Sequence, residues 1–309
     1  TPHSGDDAAF ERLCSLGNPD GTEPLVVFRR TRAEAVMPPS RRAPLVRVRQ
    51  TPAERAMHDA LLSYARRVWT EATGGARLVA SVLARRACSS AGSLARSVER
   101  RLALLGDRGQ AGYEQPALPY GDHDDAEPDV GLGLPALRDS IDERRRLEDL
   151  LRRARAAAEH ESKLAVLRRL LSRVREPAVV FTEYRDTLRL VAAALGDEAT
   201  AELHGGLTPR ERADALHRFT TGRARLLLAT DAGSEGLNLH HRCRLVINLE
   251  LPWTPLRLEQ RAGRVDRIGQ TRRVHVVHLV AAGTCEEATL ARLVERVHRS
   301  RGTLSAFEA

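Results

Sequence analysis

Leu226-Leu227-Leu228-Ala229-Thr230-Asp231-Ala232-Gly233-Ser234-Glu235-Gly236-Leu237-Asn238-Leu239 is the stretch that decides the fold. Its opening apolar run is too short for a helix and reads as a strand buried on both faces. It breaks at Thr230-Asp231 into a polar loop punctuated by glycine. The same pattern recurs on either side. Ala178–Phe181 ends at Thr182, Ala201–Leu203 ends at His204, and Leu245–Leu249 and Val274–Val280 are further apolar runs. Helical patterns separate them, near 185–195, from a capping box at Thr208 and Glu211, and from Thr284 with Glu287 at its third position. Strands alternating with helices through short loops specify an α/β fold with a parallel sheet covered on both faces. In such sheets functional loops lie beyond the carboxyl ends of the strands, where Thr182, His204, Thr230 and Asp231 sit.

Downstream, Gln260-Arg261-Ala262-Gly263-Arg264-Val265-Asp266-Arg267-Ile268-Gly269-Gln270 places three arginines at three-residue spacing. On a helix, at about 100° per residue, that spacing fans the guanidiniums over roughly a third of the circumference. A planar, permanently charged group that forks onto phosphate oxygens suits a surface facing concentrated negative charge.

The 309 residues allow two modest domains, and no apolar run approaches the ~20 residues of a membrane span. No secretory signal opens the sequence. Cys14, Cys88, Cys243 and Cys285 are widely spaced with no CxxC, which fits reduced thiols in a cytoplasm. His240-His241-Arg242-Cys243 lacks a fourth metal ligand at usable spacing, so no metal site is assigned. The net charge is +8, concentrated in residues 41–110, which hold fourteen arginines against five acids and form a candidate nucleic-acid surface. Lys163 is the only lysine and has no glycine near it. The sequence therefore holds no GxxxxGK[ST] phosphate loop, and no Asp-Glu pair in it closes an apolar strand as an acidic box that positions magnesium would. Whatever nucleotide chemistry the chain joins, it holds only part of the machinery.

The first half reads as mainly helical and basic. Leu45–Val48 reads as a short strand, and Thr51, Pro52 and Glu54 open an amphipathic helix through Trp69. Leu94, Val98, Leu102 and Leu105 mark a second helix. Residues 106–136, rich in Gly and Pro with acids at 122–129, form an insertion, and a long charged helix covers about 137–174.

In consecutive order, four segments carry a resemblance across about 161–300. They are Val179–Tyr184, Leu203-His-Gly-Gly-Leu207 with Arg212 and Phe219, Ala229–Leu239, and Asn248-Leu-Glu-Leu-Pro-Trp253 leading into Glu259–Gln270. Together they resemble motifs IV to VI of the C-terminal RecA-like lobe of superfamily 2 helicase-like ATPases. The Pro-Trp and Arg-Ile-Gly-Gln signatures are similar to the Swi/Snf-type DNA translocases, including the bacterial RNA-polymerase-associated branch. Thr1-Pro-His-Ser-Gly5 resembles the tail of motif III, and Phe28–Arg32 the connector between lobes. The resemblance implies three parts: residues 1–50 as the end of a first lobe and connector, 51–160 as a helical segment, and 161–309 as the second lobe.

By position, the resemblance makes Arg264 and Arg267 arginine fingers for an ATP, with its Mg2+, seated on a first lobe missing from this chain. It places Asp231, Gly233, Glu235, Gly236, Gln260 and Arg261 at the nucleotide cleft, and Thr182, His204, Gly205, Thr230 and Asn238 on a nucleic-acid backbone. It implies double-stranded DNA and RNA polymerase as partners, a cytoplasmic, nucleoid-associated location with no membrane, and a chain that hydrolyses no ATP alone. A non-catalytic module docking on DNA or RNA polymerase, and an RNA helicase, remain alternatives.

Overall fold

The computed structural model describes residues 41–72, 75–106, 133–196 and 200–293. The expectations for residues 1–40 and 107–132 lie outside them.

Among the described residues, six parallel strands form one sheet: β1 (Leu45–Val48), β2 (Ala178–Phe181), β3 (Thr200–Leu203), β4 (Leu226–Ala229), β5 (Leu245–Asn248) and β6 (His275–Ala281). Their spatial order is β1-β6-β5-β2-β4-β3. Successive side chains on a strand point to opposite faces, so each run feeds two cores. Val179 and Phe181 of β2, with Leu227 of β4 and Val246 of β5, pack on one face with Phe219. Ala178 and Val180, with Leu226, Leu228, Leu245 and Ile247, pack on the other with Leu167 and Leu188. Burial on both faces explains why these strands are continuously apolar. Removing Phe181, which is fully buried, costs about 3–5 kcal/mol.

Among the described residues, four helices precede this run of strands: α1 (Pro52–Glu71), α2 (Gly75–Ser89), α3 (Ala91–Gly106) and α4 (Ser140–Ala158). They share one core, from Met57, Leu61 and Val68 through Leu83 and Leu94 to Leu147 and Leu150. A polar knot crosses it. Arg101 donates to Glu143, Leu134 O and the Tyr64 hydroxyl, and Glu143 also accepts from the backbone of Ala136 and Leu137. Because β1 pairs with β6 in the register Leu45↔His278 to Val48↔Ala281, the sheet takes its edge strand from ahead of the bundle.

Around the sheet lie α5 (Ser162–Arg173), α6 (Arg185–Leu195), α7 (Pro209–Thr221), α8 (Pro255–Ala262) and a helix, α9, at residues 285–293. The capping boxes at Thr51/Glu54 and Thr208/Glu211 form as expected. The long helix over 137–174 does not. It breaks at 159–161 into α4 and α5. Tertiary contacts override propensity here. Glu54, already capping α1, also accepts from the Ser162 N–H at 2.8 Å and hydroxyl at 2.9 Å, so one carboxylate caps two helices. The helix α2 carries no expectation from the sequence reading.

Lys163 fixes the junction of bundle and sheet. Its buried ammonium donates to Cys88 O (2.7 Å), Leu249 O (2.8 Å) and Glu286 Oε1 (2.8 Å). Three acceptors converging on a point charge suit lysine rather than a planar guanidinium, which accounts for the one lysine in an arginine-rich chain.

Candidate functional site

At the carboxyl end of β4 the chain turns onto the neighbouring strand end. The Thr230 N–H donates to Leu203 O (2.9 Å), and its hydroxyl accepts from the Gly233 N–H (3.3 Å). Gly233 lies flat on β3: a Cβ there would sit 2.3 Å from Leu203 O and 2.6 Å from His204 Cα. Only glycine permits that approach. Arg212 of α7 holds the loop from outside, donating to Gly233 O (2.6 Å) and Glu235 O (3.0 Å). Gly236 turns it with φ of 75°. The Leu239 N–H then donates to Arg264 O at 2.8 Å, tying this loop to the arginine segment.

That segment is not one helix. The helix α8 ends at Ala262, with Gly263 capping it, and residues 263–269 form turns. The three arginines therefore do not fan along a common face. Arg261, in the last helical turn, points inward and is 1% exposed. It donates twice to Asp231 (2.6 and 2.7 Å), once to Asn248 Oδ1 (3.1 Å) and once to Glu250 O (3.3 Å). It also stands over the Phe181 ring at 5.4 Å. Arg261 thus joins the ends of β2, β4 and β5 from within.

Arg264 and Arg267 differ. Arg267 is exposed, and its Nε donates to Gly263 O (3.0 Å). Arg264 is half-buried, and its Nε is shielded without a hydrogen-bond partner. Burial first, then the Arg267 charge, press the Arg264 guanidinium below its ordinary value. Neither side chain makes an ion pair among the described residues. Their loop is nevertheless rigidly held. The buried Gln270 amide donates to His240 O (2.9 Å), Cys243 O (3.1 Å) and Val265 O (3.3 Å), and Gly269 turns at φ of 98°.

The residues assigned to nucleic acid separate by burial. Gly205 and Asn238 are exposed, whereas Thr182, His204 and Thr230 are buried and shape the strand ends. Of those assigned to the cleft, Glu235, Gly236 and Gln260 are exposed, Asp231 is half-buried, and Gly233 and Arg261 are buried.

The sequence reading missed a carboxylate cluster beneath the site. Glu250 is buried, accepts from the Glu183 N–H and from the Ser89 hydroxyl (3.2 Å), and is pushed up to about 7 by desolvation. Glu183 pairs with Arg85 (2.8 Å) and Arg257 (3.8 Å). Arg86 and Arg96 both reach Asp186. Several arginines of the basic 41–110 segment are thus turned onto carboxylates of the sheet domain, Arg86 buried and Arg85 and Arg96 still partly open to solvent. The Glu-Tyr and Leu-Glu-Leu contexts gave no signal for this, because acids at strand ends usually face water. Among the described residues no three His, Cys, Asp or Glu side chains converge on a metal position, and no helix is long and apolar enough to cross a membrane.

The profile of the family described as Helicase conserved C-terminal domain matches residues 162–269. An uncharacterized ATP-dependent helicase of Bacillus subtilis, YqhH, is 37% identical over 131 residues, 42% of this chain and 23% of that protein. The SNF2 domain-containing protein CLASSY 3 of Arabidopsis thaliana is 31% identical over 140 residues, 40% of this chain and 10% of that one. The RNA polymerase-associated protein RapA of Yersinia pestis is 39% identical over 110 residues, 35% and 10% respectively. The chain therefore matches under a quarter of each relative's length. In fold it is similar to the crystal structure of the C-terminal part of the Fun30 ATPase domain, with TM-score 0.54 and 16% identity over 83% of this chain and 90% of that one. Over residues 162–269 the chain thus matches the helicase conserved C-terminal domain, and it is similar there to the C-terminal lobes of SNF2-type superfamily 2 helicases.

Proposed function

We propose that this chain supplies the second motor lobe of an ATP-dependent translocase on double-stranded DNA. The observation that carries the reading is the pair Arg264 and Arg267, two adjacent guanidiniums without a carboxylate partner on a loop pinned by Gln270. Such a pair is complementary to an anion brought by another surface. On this reading a first RecA-like lobe of the parent polypeptide holds ATP and Mg2+, and closure of the cleft brings both guanidiniums onto the γ-phosphate. There they stabilise the charge on the transferring phosphoryl group. Ile268, 82% exposed between them and Gly269, would be covered in the closed state. Asp231 and Arg261 would set the distance between this loop and the 230–239 loop, while Glu235, Gly236 and Gln260 line the cleft.

Gly205 and Asn238 would touch the phosphate backbone, supported from below by Thr182, His204 and Thr230. Contacts of this kind position a strand without reading sequence. The helices α1 to α4 then form an insertion within the second lobe. The likeness to RapA supports RNA polymerase as a partner and a nucleoid-associated location in the cytoplasm. Without the first lobe the chain would not hydrolyse ATP. The test is ATP turnover by the intact parent with double-stranded DNA or RNA as stimulus, alongside strand-displacement assays. Turnover stimulated by duplex DNA without strand separation is expected; RNA-stimulated turnover with duplex unwinding would contradict the translocase reading.

A further inference from the structure

The geometry points to a reversible disulfide between Cys88 and Cys285 that staples the four-helix bundle to the carboxyl edge of the sheet. The two residues are 197 apart in sequence, yet their sulfurs lie 2.8 Å from each other. Cys88 is the second-last residue of α2, and Cys285 opens α9 after a short turn that follows β6. Forming the bond, at about 2.05 Å, asks for less than an ångström of approach. Both partners are held in place by other contacts. Cys88 O accepts from Lys163 Nζ, and the neighbour of Cys285, Glu286, accepts from the same ammonium. The Cys285 sulfur also lies 3.6 Å from Ala84 O.

The two thiols have different chemical roles. Cys285 is exposed and Cys88 is buried, so an oxidant meets Cys285 first. The S–H of Cys88, donating to Cys285, lowers the Cys285 thiol from its ordinary value, and the Lys163 charge acts in the same direction. The thiolate, not the thiol, is the nucleophile. With hydrogen peroxide as oxidant, the Cys285 thiolate attacks one peroxide oxygen, the O–O bond breaks and hydroxide leaves, giving a sulfenic acid at Cys285. Cys88 then loses its proton to that hydroxide and attacks the Cys285 sulfur. The S–S bond forms as the sulfenic S–O bond breaks, and the departing hydroxide takes up the proton that Cys285 lost on ionising, giving a second water. Two thiols are oxidised, one peroxide is reduced, and two waters result.

Cys243 is the internal control. It is buried, pushed up to about 12 by desolvation, and its sulfur donates to Leu239 O at 3.7 Å. It has no cysteine partner among the described residues.

The test treats the full chain with hydrogen peroxide, blocks residual thiols with iodoacetamide, and maps tryptic peptides without reduction. The proposal expects residues 87–96 and 274–292 to be recovered as one cross-linked species that dithiothreitol separates, with Cys243 alkylated after unfolding. The cross-linked chain should melt higher by roughly 5 °C or more, since a long loop is closed. Cys285→Ser should abolish both effects. Recovery of Cys88 free beside a Cys285 sulfinic acid, a cross-link through Cys14 or Cys243, or no oxidation at all would each overturn the proposal.

Discussion

Arg261 closes a two-pronged ion pair on Asp231, at 2.6 and 2.7 Å, while the arginine three residues further on makes no ion pair among the described residues. One repeated residue type thus does two jobs. Arg261 belongs to the interior and fixes the loop after β4; Arg264 belongs to a surface.

Stability measurements should separate the two. Breaking a buried pair leaves an uncompensated charge, so Asp231→Asn or Arg261→Ala should cost about 3–5 kcal/mol in urea denaturation. Arg264→Ala should stay within about 1 kcal/mol. Equal losses would mean that Arg264 is structural.

Gly233 and Gly236 make a matched pair of substitutions. Alanine at Gly233 drives a Cβ into the Leu203 carbonyl, where neither neighbour is a flexible side chain. It should cost about 1–3 kcal/mol and, by displacing the 230–239 loop, lower the parent's ATP turnover by about 100-fold. Alanine at Gly236 meets open space and pays only for its positive φ, about 1–2 kcal/mol. Turnover in Gly233→Ala equal to wild type would show that the close approach has no functional weight.

Lys163→Met strands the Glu286 carboxylate and two buried carbonyls, with an expected loss of about 3–5 kcal/mol. Lys163→Arg should also destabilise, because a planar fork cannot meet three acceptors arranged around one nitrogen. Rescue by arginine, read from thermal melts, would contradict this geometry.

The pH dependence carries a sign that Glu250 sets. Its folded value is raised from 4.5 to about 7, so its contribution is complete below pH 4.5 and disappears as pH climbs through 7. Glu161, also raised to about 7, behaves alike. His58 and His278 are pushed down to about 4 by burial and act in the opposite sense, contributing above pH 6.5 and failing as pH falls through 4. These opposing trends flatten the wild-type profile between them. Glu250→Gln removes one, so the variant should gain on wild type by on the order of 3 kcal/mol between pH 4.5 and 8. A difference that does not move with pH would show that Glu250 titrates normally.

Much of the sheet is legible from sequence because strands buried on both faces must be continuously apolar, as Leu226–Ala229 is. The caps at Thr51 and Thr208 are legible because they are local. The break at 159–161 is not, since no Gly or Pro marks it and its cause, Glu54, lies over a hundred residues away. The spacing of Ala76, Val79, Ala80, Leu83 and Ala87 does mark α2, through side chains small enough to pass for a loop. At the candidate site, motif order singled out Asp231, Arg261 and Arg264 without saying which arginine faces in. That depends on where α8 stops, and Gly263 is the only local sign of it. The nearness of Cys88 and Cys285 is a tertiary fact with no trace in spacing.

The central claim is that a guanidinium of this lobe completes an active centre built mostly elsewhere. DNA-stimulated ATP turnover by the intact parent carrying Arg264→Ala tests it most directly. A loss of about 1000-fold with unchanged stability is the predicted result; turnover within a few-fold of wild type would contradict it.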